Sequence, residues 1–294
     1  MNSRNMILGM YGCQWRICRD FNLKNMIPKI IHLCWLSGDA FPADIVKCLE
    51  TWKKYLKDYE IWLWGKKPQD CLGLNVIEKH FDLDSTIWTK QAFEAKKYAF
   101  AADYIRLYAL YNFGGIYLDA DVLVYKSFDE LLSLPYFIGC DQIRAFEAAV
   151  IGAEKGCSWI KDIFDTYQGK HFVKEDGSLD IMELPVRFHH ILTELNYKFR
   201  KISRISDFEK QAGGVKEIIV FSGDFFNSRN AVEVRQTKKS FCAHNYAGSW
   251  NKKGNAPKTI KDWLPKWLLG MIYRVGQATW ARNKYAWFQI PFEN

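Results

Sequence analysis

With 294 residues, 49% of them hydrophobic and 25% charged, the chain has the balance of a globular protein with an adequate core, organised as one large domain or two small ones. The net charge of +8 suits anionic small molecules, anionic lipid or nucleic acid, but there are no zinc-finger spacings, no aromatic RNA-binding motif and no long basic run, so nucleic acid is set aside as a partner. The 8 cysteines are scattered, with no Cys-x-x-Cys pair and no framework spacing, which excludes a disulfide scaffold and fits reduced thiols in a cytosolic setting.

Residues 1–25 carry a little positive charge and one glycine-broken apolar run, Met6–Tyr11, too short to span a bilayer and without a clear cleavage site. They read as a disordered extension or as a short membrane-contacting helix, the extension being preferred. Pro28–Gly38 predicts the first core strand, with Ile30, Ile31, Leu33 and Cys34 apolar and Ser37-Gly38-Asp39 as the turn. Ligands of wound sheets sit beyond the carboxyl ends of the strands, which places Trp35 to stack on a nucleobase; a tryptophan packed in the core is the other reading. His32, inside the strand, reads as a satisfied core histidine. Pro42–Leu56 predicts an amphipathic helix with Ile45, Leu49, Trp52 and Leu56 on one stripe, and Tyr59–Trp64 the next strand. Strand, helix, strand is the opening of a wound α/β sheet. Residues 66–85 are mixed and read as cover for one edge.

The stretch Tyr98–Lys126 organises the chain. Tyr98, Ala101, Ala102, Ile105, Tyr108 and Ala109 recur at spacings of three and four, the mark of one buried helical face, and Asp103 and Arg106 share a side one turn apart. Gly114-Gly115 stops the helix. Ile116-Tyr117-Leu118 restarts as an apolar strand closed by Asp119-Ala120-Asp121, and Val122-Leu123-Val124 continues as another. Two carboxylates at the end of a buried strand are costly unless a positive group meets them. With an extended backbone they point to one side, and the partner they suit is a hard divalent cation with open positions for phosphate. That arrangement holds a nucleoside diphosphate as a leaving group.

Beyond it, Ser127 with Glu130 predicts a capping box opening a short helix. Phe137–Asp141 and Ala148–Gly152 predict further strands, and Asp141 and Glu147 are low-ranked candidates for base, nucleophile or sugar-hydroxyl clamp. Ser158–Tyr167 and Ile181–Leu195 predict helices, with a charged exposed loop between them; Pro185 suits the first turn of the second or breaks it. His189-His190 point about 100° apart on a helix and make a poor chelate. Glu217–Phe221 predicts a late strand and Phe225-Phe226 an edge. His244 ends a short strand, and Gly248-Ser249-Trp250 is a loop. Residues 251–294 form a basic, aromatic extension: Ile260, Trp263, Leu264, Trp267, Leu268, Met271 and Ile272 fall on one face with lysines around it, which reads as an interfacial helix on an anionic membrane surface or as one packed on the domain.

The run AADYIRLYALYNFGGIYLDADV resembles the donor-binding core of the DxD glycosyltransferases of GT-A fold, in particular the family 32 sugar transferases of bacterial capsule and surface-polysaccharide clusters, which are related to yeast mannosyltransferases and distantly to the glucosylating clostridial toxins. The likeness runs from about Ile27 to Trp250 and implies a GT-A-like α/β catalytic domain over 26–250, with a mostly parallel central sheet flanked by helices and a helical acceptor side. It implies a nucleotide-sugar donor, UDP-linked by preference, a glycan or lipid-linked glycan acceptor, Mn²⁺ or Mg²⁺ as cofactor, retention at the anomeric carbon, and a cytoplasmic site, peripheral on the inner face of the membrane. In relatives an IH-x-x-W-x-x-G run contacts the base, which adds weight to Trp35. Asp121 is then the metal ligand, Asp119 bridges metal, ribose and sugar hydroxyls, and Arg106 and Asp103 hold the sugar. His244 is a further metal or diphosphate ligand, Ser249 touches phosphate or metal, and Trp250 shields the leaving group from water. Relatives often carry Gly-Pro where this chain has Glu183-Leu184-Pro185, a departure on the acceptor side. Two other readings stay open. IYLDADVLV also resembles the nucleophile strand of haloacid-dehalogenase-type phosphatases, although Leu123 and the long preceding α/β section argue against it. A non-enzymatic polysaccharide- or membrane-surface-binding protein would use the C-terminal helix and the surplus of aromatics, 16% of the chain with 12 tryptophans.

Overall fold

The computed structural model describes residues 26–141, 144–211, 216–227, 236–245 and 289–293. The expected extension 1–25, Ser249, Trp250 and the basic helix lie outside the described residues.

The first strand, β1 (Ile30–Trp35), is followed by α1 (Ala43–Tyr55) and returns as β2 (Glu60–Gly65) parallel to β1, with β3 (Val76–Lys79) parallel on its outer side. Helices α2 (Ile87–Glu94) and α3 (Tyr98–Phe113) then lead into β4 (Gly115–Leu118), which lies beside β1. The chain leaves the sheet as β5 (Val122–Val124) and re-enters as β6 (Tyr136–Cys140) and β7 (Phe146–Ala153). Helices α4 (Ser158–Asp165) and α5 (Leu184–Glu194), strands β8 (Lys198–Ile202) and β9 (Glu217–Phe221), and the short β10 (Cys242–His244) complete the order. The large sheet runs β3-β2-β1-β4-β7-β6-β9-β8. Within this sheet, among the described residues, only β7 opposes its neighbours β4 and β6, and the other pairs are parallel. This is the mostly parallel, helix-flanked sheet expected of a GT-A-like domain.

Both faces of the sheet are buried, as parallel sheets require. On one side α1 packs through Ile45, Leu49 and Trp52 against Ile31, Leu33, Ile116 and Leu118. On the other, α2, α3, α4 and α5 bury Trp88, Leu107, Ile160 and Phe188 against Tyr117 and Ile151. Helix α3 buries more than the single face its periodicity predicts: Ala102, Asp103, Ile105, Arg106, Leu107, Ala109 and Leu110 are all covered, because it lies between the sheet and α2 and α4.

The one reversed strand matters for function. Parallel strands β1, β4 and β6 bring Trp35, Asp119 and Asp141 to one edge of the sheet by their carboxyl ends. Antiparallel β7 reaches the same edge by its amino end, where Glu147 pairs opposite Gly139. Helix α1 fixes the ribbon that leaves this edge: the Trp52 indole donates to the Val122 carbonyl (2.8 Å), and the Thr51 hydroxyl accepts from the Val124 amide (2.9 Å). Strand β10 then pairs antiparallel with β5, His244 opposite Val122.

Several local expectations change. Ser127 and Glu130 form no capping box: the Ser127 hydroxyl accepts from the Asp129 amide in a single 3-10 turn, and Glu130 pairs with Lys126. Phe225-Phe226 is no strand but a turn whose two rings fill the core. The charged loop after α4 is pinned by fully buried Phe172, which meets Trp88 edge-on. Strand β8 lacks a clear sequence signal, since only Phe199 and Ile202 of its five residues are buried and they do not alternate. Residues 289–293 lie along that edge strand: the Ile290 amide donates to the Arg144 carbonyl (2.9 Å) and the Glu293 amide to the Phe199 carbonyl (2.9 Å).

Gly115 sits where the helix hands over to β4, at φ 110°, and an added Cβ would lie 2.7 Å from the Ile30 carbonyl and 3.1 Å from His32 Nε2. Gly115→Ala is therefore expected to cost about 2–3 kcal/mol, read as a lower urea midpoint at unchanged m-value. His32 is fully buried beside it. The Trp64 indole can only donate, so Nδ1 accepts (3.1 Å) and Nε2 donates to the Gly114 carbonyl (2.7 Å). Burial pushes the imidazole down to about 4, against the pull of the Gly114 bond. The unfolded chain takes up this proton near the ordinary value of 6.5 and the folded one only near 4, so stability falls as pH drops through that window. The expected loss is about 3 kcal/mol. In His32→Gln, which has no proton to take up, urea midpoints fall less steeply from about pH 7 to pH 4.5 than in wild type.

Candidate functional site

The Asp119-Ala120-Asp121 segment is a tight turn rather than an extended stretch. The Val122 amide donates to the Asp119 carbonyl (3.0 Å), the Asp119 amide donates to Ala149 on β7 (2.9 Å), and the Asn245 amide donates to the Asp121 carbonyl (2.9 Å). Pinned from β7 and β10 at once, the turn still brings its carboxylates together: one ligand atom from each of Asp119, Asp121 and His244 lies within 4.8 Å of the others. Two carboxylates and an imidazole, all half-buried, are a donor set that fits a cation such as Mn²⁺. His244 Nε2 lies 3.4 Å from Asp121 Oδ1, and Nδ1 lies 3.2 Å from Glu147 Oε1. Burial opposes a charge on this imidazole, but Glu147 and Asp121 together raise its pKa well above the ordinary value.

The second group centres on Arg106. Its guanidinium donates to the Ala148 carbonyl (2.6 Å), lies 3.2 Å from Asp119 Oδ1 and 3.3 Å from Asp103 Oδ1, and covers the Tyr117 ring with Cζ 4.2 Å from the centroid. Tyr117 in turn donates its hydroxyl to the same Asp119 oxygen (2.7 Å). Burial pushes the Asp103 carboxyl up to about 7; Arg106 opposes the shift and Asp119 adds to it. Burial also works against the Arg106 charge, but Asp119, Tyr117 and Asp103 outweigh it and leave the guanidinium charged. Asp103 and Arg106 thus share a side of α3 as their spacing implied, and they meet Asp119 there.

Trp35 stands at the end of β1, half-buried, its indole N–H on the Asp39 carbonyl (2.8 Å) and its ring against Phe41. Asp141 holds the turn between β6 and β7 by accepting from the Ala145 amide (2.8 Å). Glu147, expected as base, nucleophile or sugar clamp, is turned into the protein, its side chain 4% exposed. The His189 and His190 rings are 5.9 Å apart and, among the described residues, join no metal-ligating cluster. Sequence reasoning missed Tyr117, Asn227 and the role of Glu147. Tyr117 could have been found, since it lies two residues before Asp119.

A strand-end Asp-x-Asp turn is thus joined to a buried arginine at the carboxyl edge of the mixed sheet. Residues 42–138 match the family described as glycosyltransferase sugar-binding region containing DXD motif, and that segment includes both the Arg106 group and the Asp-x-Asp turn. Inositol phosphoceramide mannosyltransferase 3 of Schizosaccharomyces pombe is 29% identical over 136 residues, 46% of this chain and 35% of that protein. Mannosyl phosphorylinositol ceramide synthase CSH1 of Saccharomyces cerevisiae is 31% identical over 114 residues, 38% of this chain and 28% of that one. The matched part thus spans about a third or less of these yeast proteins. Among solved structures, the PaToxG glycosyltransferase is similar at a TM-score of 0.44 and 24% identity, covering 58% of this chain and 70% of that one. The family match spans the DxD turn and sets aside both the phosphatase and the non-enzymatic readings.

Proposed function

We propose that the protein transfers a sugar from a nucleotide-diphosphate sugar, with UDP-linked donors preferred, to a glycan or lipid-linked glycan acceptor in the assembly of a surface polysaccharide. The single observation that carries this reading is the convergence of Asp119, Asp121 and His244 beside the Arg106 group. Asp121, Asp119 and His244 would hold Mn²⁺ or Mg²⁺, which when bound supplies positive charge to the leaving diphosphate.

The remaining work falls to the chain. Trp35 offers a half-exposed indole to the base at the end of β1. Arg106, locked by Ala148 and stacked on Tyr117, holds Asp119 oriented without reorganisation, which is how preorganised groups contribute several kcal/mol to a transition state. Asp103, held near neutrality, can both donate to and accept from sugar hydroxyls. Attack by the acceptor hydroxyl on the face that the diphosphate leaves would retain the anomeric configuration. We place the reaction on the cytoplasmic side, with the basic C-terminal segment against an anionic membrane surface; among the described residues no helix is long and apolar enough to cross a membrane.

The test is a thermal-shift panel of UDP- and GDP-linked sugars with and without Mn²⁺. A ligand at about one hundred times its Kd adds about 2.7 kcal/mol of stability. A shift with one donor that depends on Mn²⁺ supports the reading and fixes the base; no shift with any donor, at any metal concentration, counts against it.

A further inference from the structure

Strand β7, Phe146–Ala153, is buried at all eight positions, and Glu147 is its single charged residue. A carboxylate there is expensive unless hydrogen-bonded donors surround it. They do. The Ala149 amide donates to Oε1 (3.1 Å), the Asn227 side-chain amide donates to Oε2, and His244 Nδ1 lies 3.2 Å from Oε1. Asn227 is itself fully buried, at the end of the turn after β9. The three groups come from β7, that turn and β10, and they meet at the amino end of β7.

The direction of this chain of contacts is informative. Both Glu147 oxygens are engaged by protein donors, so it faces His244 rather than a substrate. His244 in turn has Nδ1 toward Glu147 and Nε2 toward Asp121. A carboxylate on one ring nitrogen fixes the tautomer and plane of the imidazole and raises the basicity of the other nitrogen.

We propose that Glu147 is a positioning residue: seated by Asn227 and the Ala149 amide, it holds His244 so that Nε2 is presented to a divalent cation shared with Asp119 and Asp121. This rests on the metal-site reading above and adds to it a residue outside the Asp-x-Asp turn that sets how tightly the cation is held.

The experiment is Mn²⁺ titration of the full chain by calorimetry, without donor, on wild type, Glu147→Ala, Glu147→Gln, His244→Ala and the double variant Glu147→Ala/His244→Ala, with apo unfolding midpoints measured alongside. Loss of an outer partner of a metal ligand weakens binding by about 10–100-fold, and we expect this for Glu147→Ala, with about tenfold for Glu147→Gln, which keeps the shape but not the charge. In the His244→Ala background the Glu147 change should weaken Mn²⁺ no further, because it acts through the imidazole. A purely structural role would lower the apo midpoint and leave the Mn²⁺ affinity of the folded protein unchanged; that result overturns the proposal, as does an equal loss in both backgrounds. Should Glu147→Ala fail to fold, the near-isosteric Glu147→Gln decides alone, and wild-type affinity in it is fatal. A wild-type chain that binds no Mn²⁺ removes the metal site itself, an outcome distinct from tight wild-type binding that ignores Glu147.

Discussion

Asp121→Asn is expected to lower kcat for sugar transfer by about a thousandfold, the equivalent of about 4 kcal/mol of lost transition-state stabilisation. The side chain converges with Asp119 and His244, while its backbone is held separately by the Asn245 amide, so the turn keeps its shape when the charge is removed. The substitution therefore separates chemistry from folding. Asn is nearly isosteric, but its amide is a far weaker ligand for a hard cation than a carboxylate. Initial rates with the donor found by thermal shift, measured across a Mn²⁺ series, should show a fall in kcat that added metal only partly restores, with an apo unfolding midpoint close to wild type. Full activity of the variant in the presence of a chelator would end the assignment of a metal-dependent transferase.

The large effect and the ease of finding Asp121 have the same origin. An Asp-x-Asp that follows a helix, a double glycine and an apolar triplet is a local pattern, and local patterns are legible. The helix from Tyr98, its stop at Gly114-Gly115, the strand Gly115–Leu118 and the strand Val122–Val124 all lie where periodicity and glycine chemistry place them. The pairing of Asp103 with Arg106 follows from helical spacing alone. His32 as a satisfied core group followed from its apolar strand, although its partners Trp64 and Gly114 did not.

What the sequence hid is non-local. Nothing near Glu147 marks it as a neighbour of His244, 97 residues further along the chain, because the strand reversal at β7 is a property of the whole sheet. Asn227 is invisible for the same reason. The shape of the Asp-x-Asp turn is likewise not written in its own residues, because it is pinned by Ala149 on β7 and by Asn245 after β10. Phe225-Phe226 looked like a strand since two adjacent aromatics favour one; a turn with both rings buried wins because the core beside Phe137 and Phe241 needs filling.

Arg106→Met is the other large effect, and it falls on folding as well as activity. The guanidinium is 6% exposed and answers two carboxylates and a carbonyl. Breaking a buried pair by removing one partner leaves the other charge uncompensated, and we expect a loss of about 3–5 kcal/mol in unfolding free energy. Arg106→Lys should recover little, because one ammonium cannot serve Asp103, Asp119 and Ala148 while lying flat on Tyr117. The loss should also depend on pH in a definite direction. The Asp103 carboxyl sits at about 7 in the fold against an ordinary 3.8, so the folded state holds its proton longer than the unfolded chain does, and stability declines as pH rises across that window. Arg106 restrains that shift; without it the window extends upward, and the deficit of the variant should widen between about pH 6 and pH 8.5. The double variant Arg106→Met/Asp103→Leu buries apolar groups in place of the pair and should regain most of the stability while remaining inactive. Urea midpoints at the two pH values, with transfer assays on the same samples, check all three statements. A single variant as stable as wild type at both pH values would mean that the guanidinium is not held between the two carboxylates, and with it would go the account of how Asp119 is aimed.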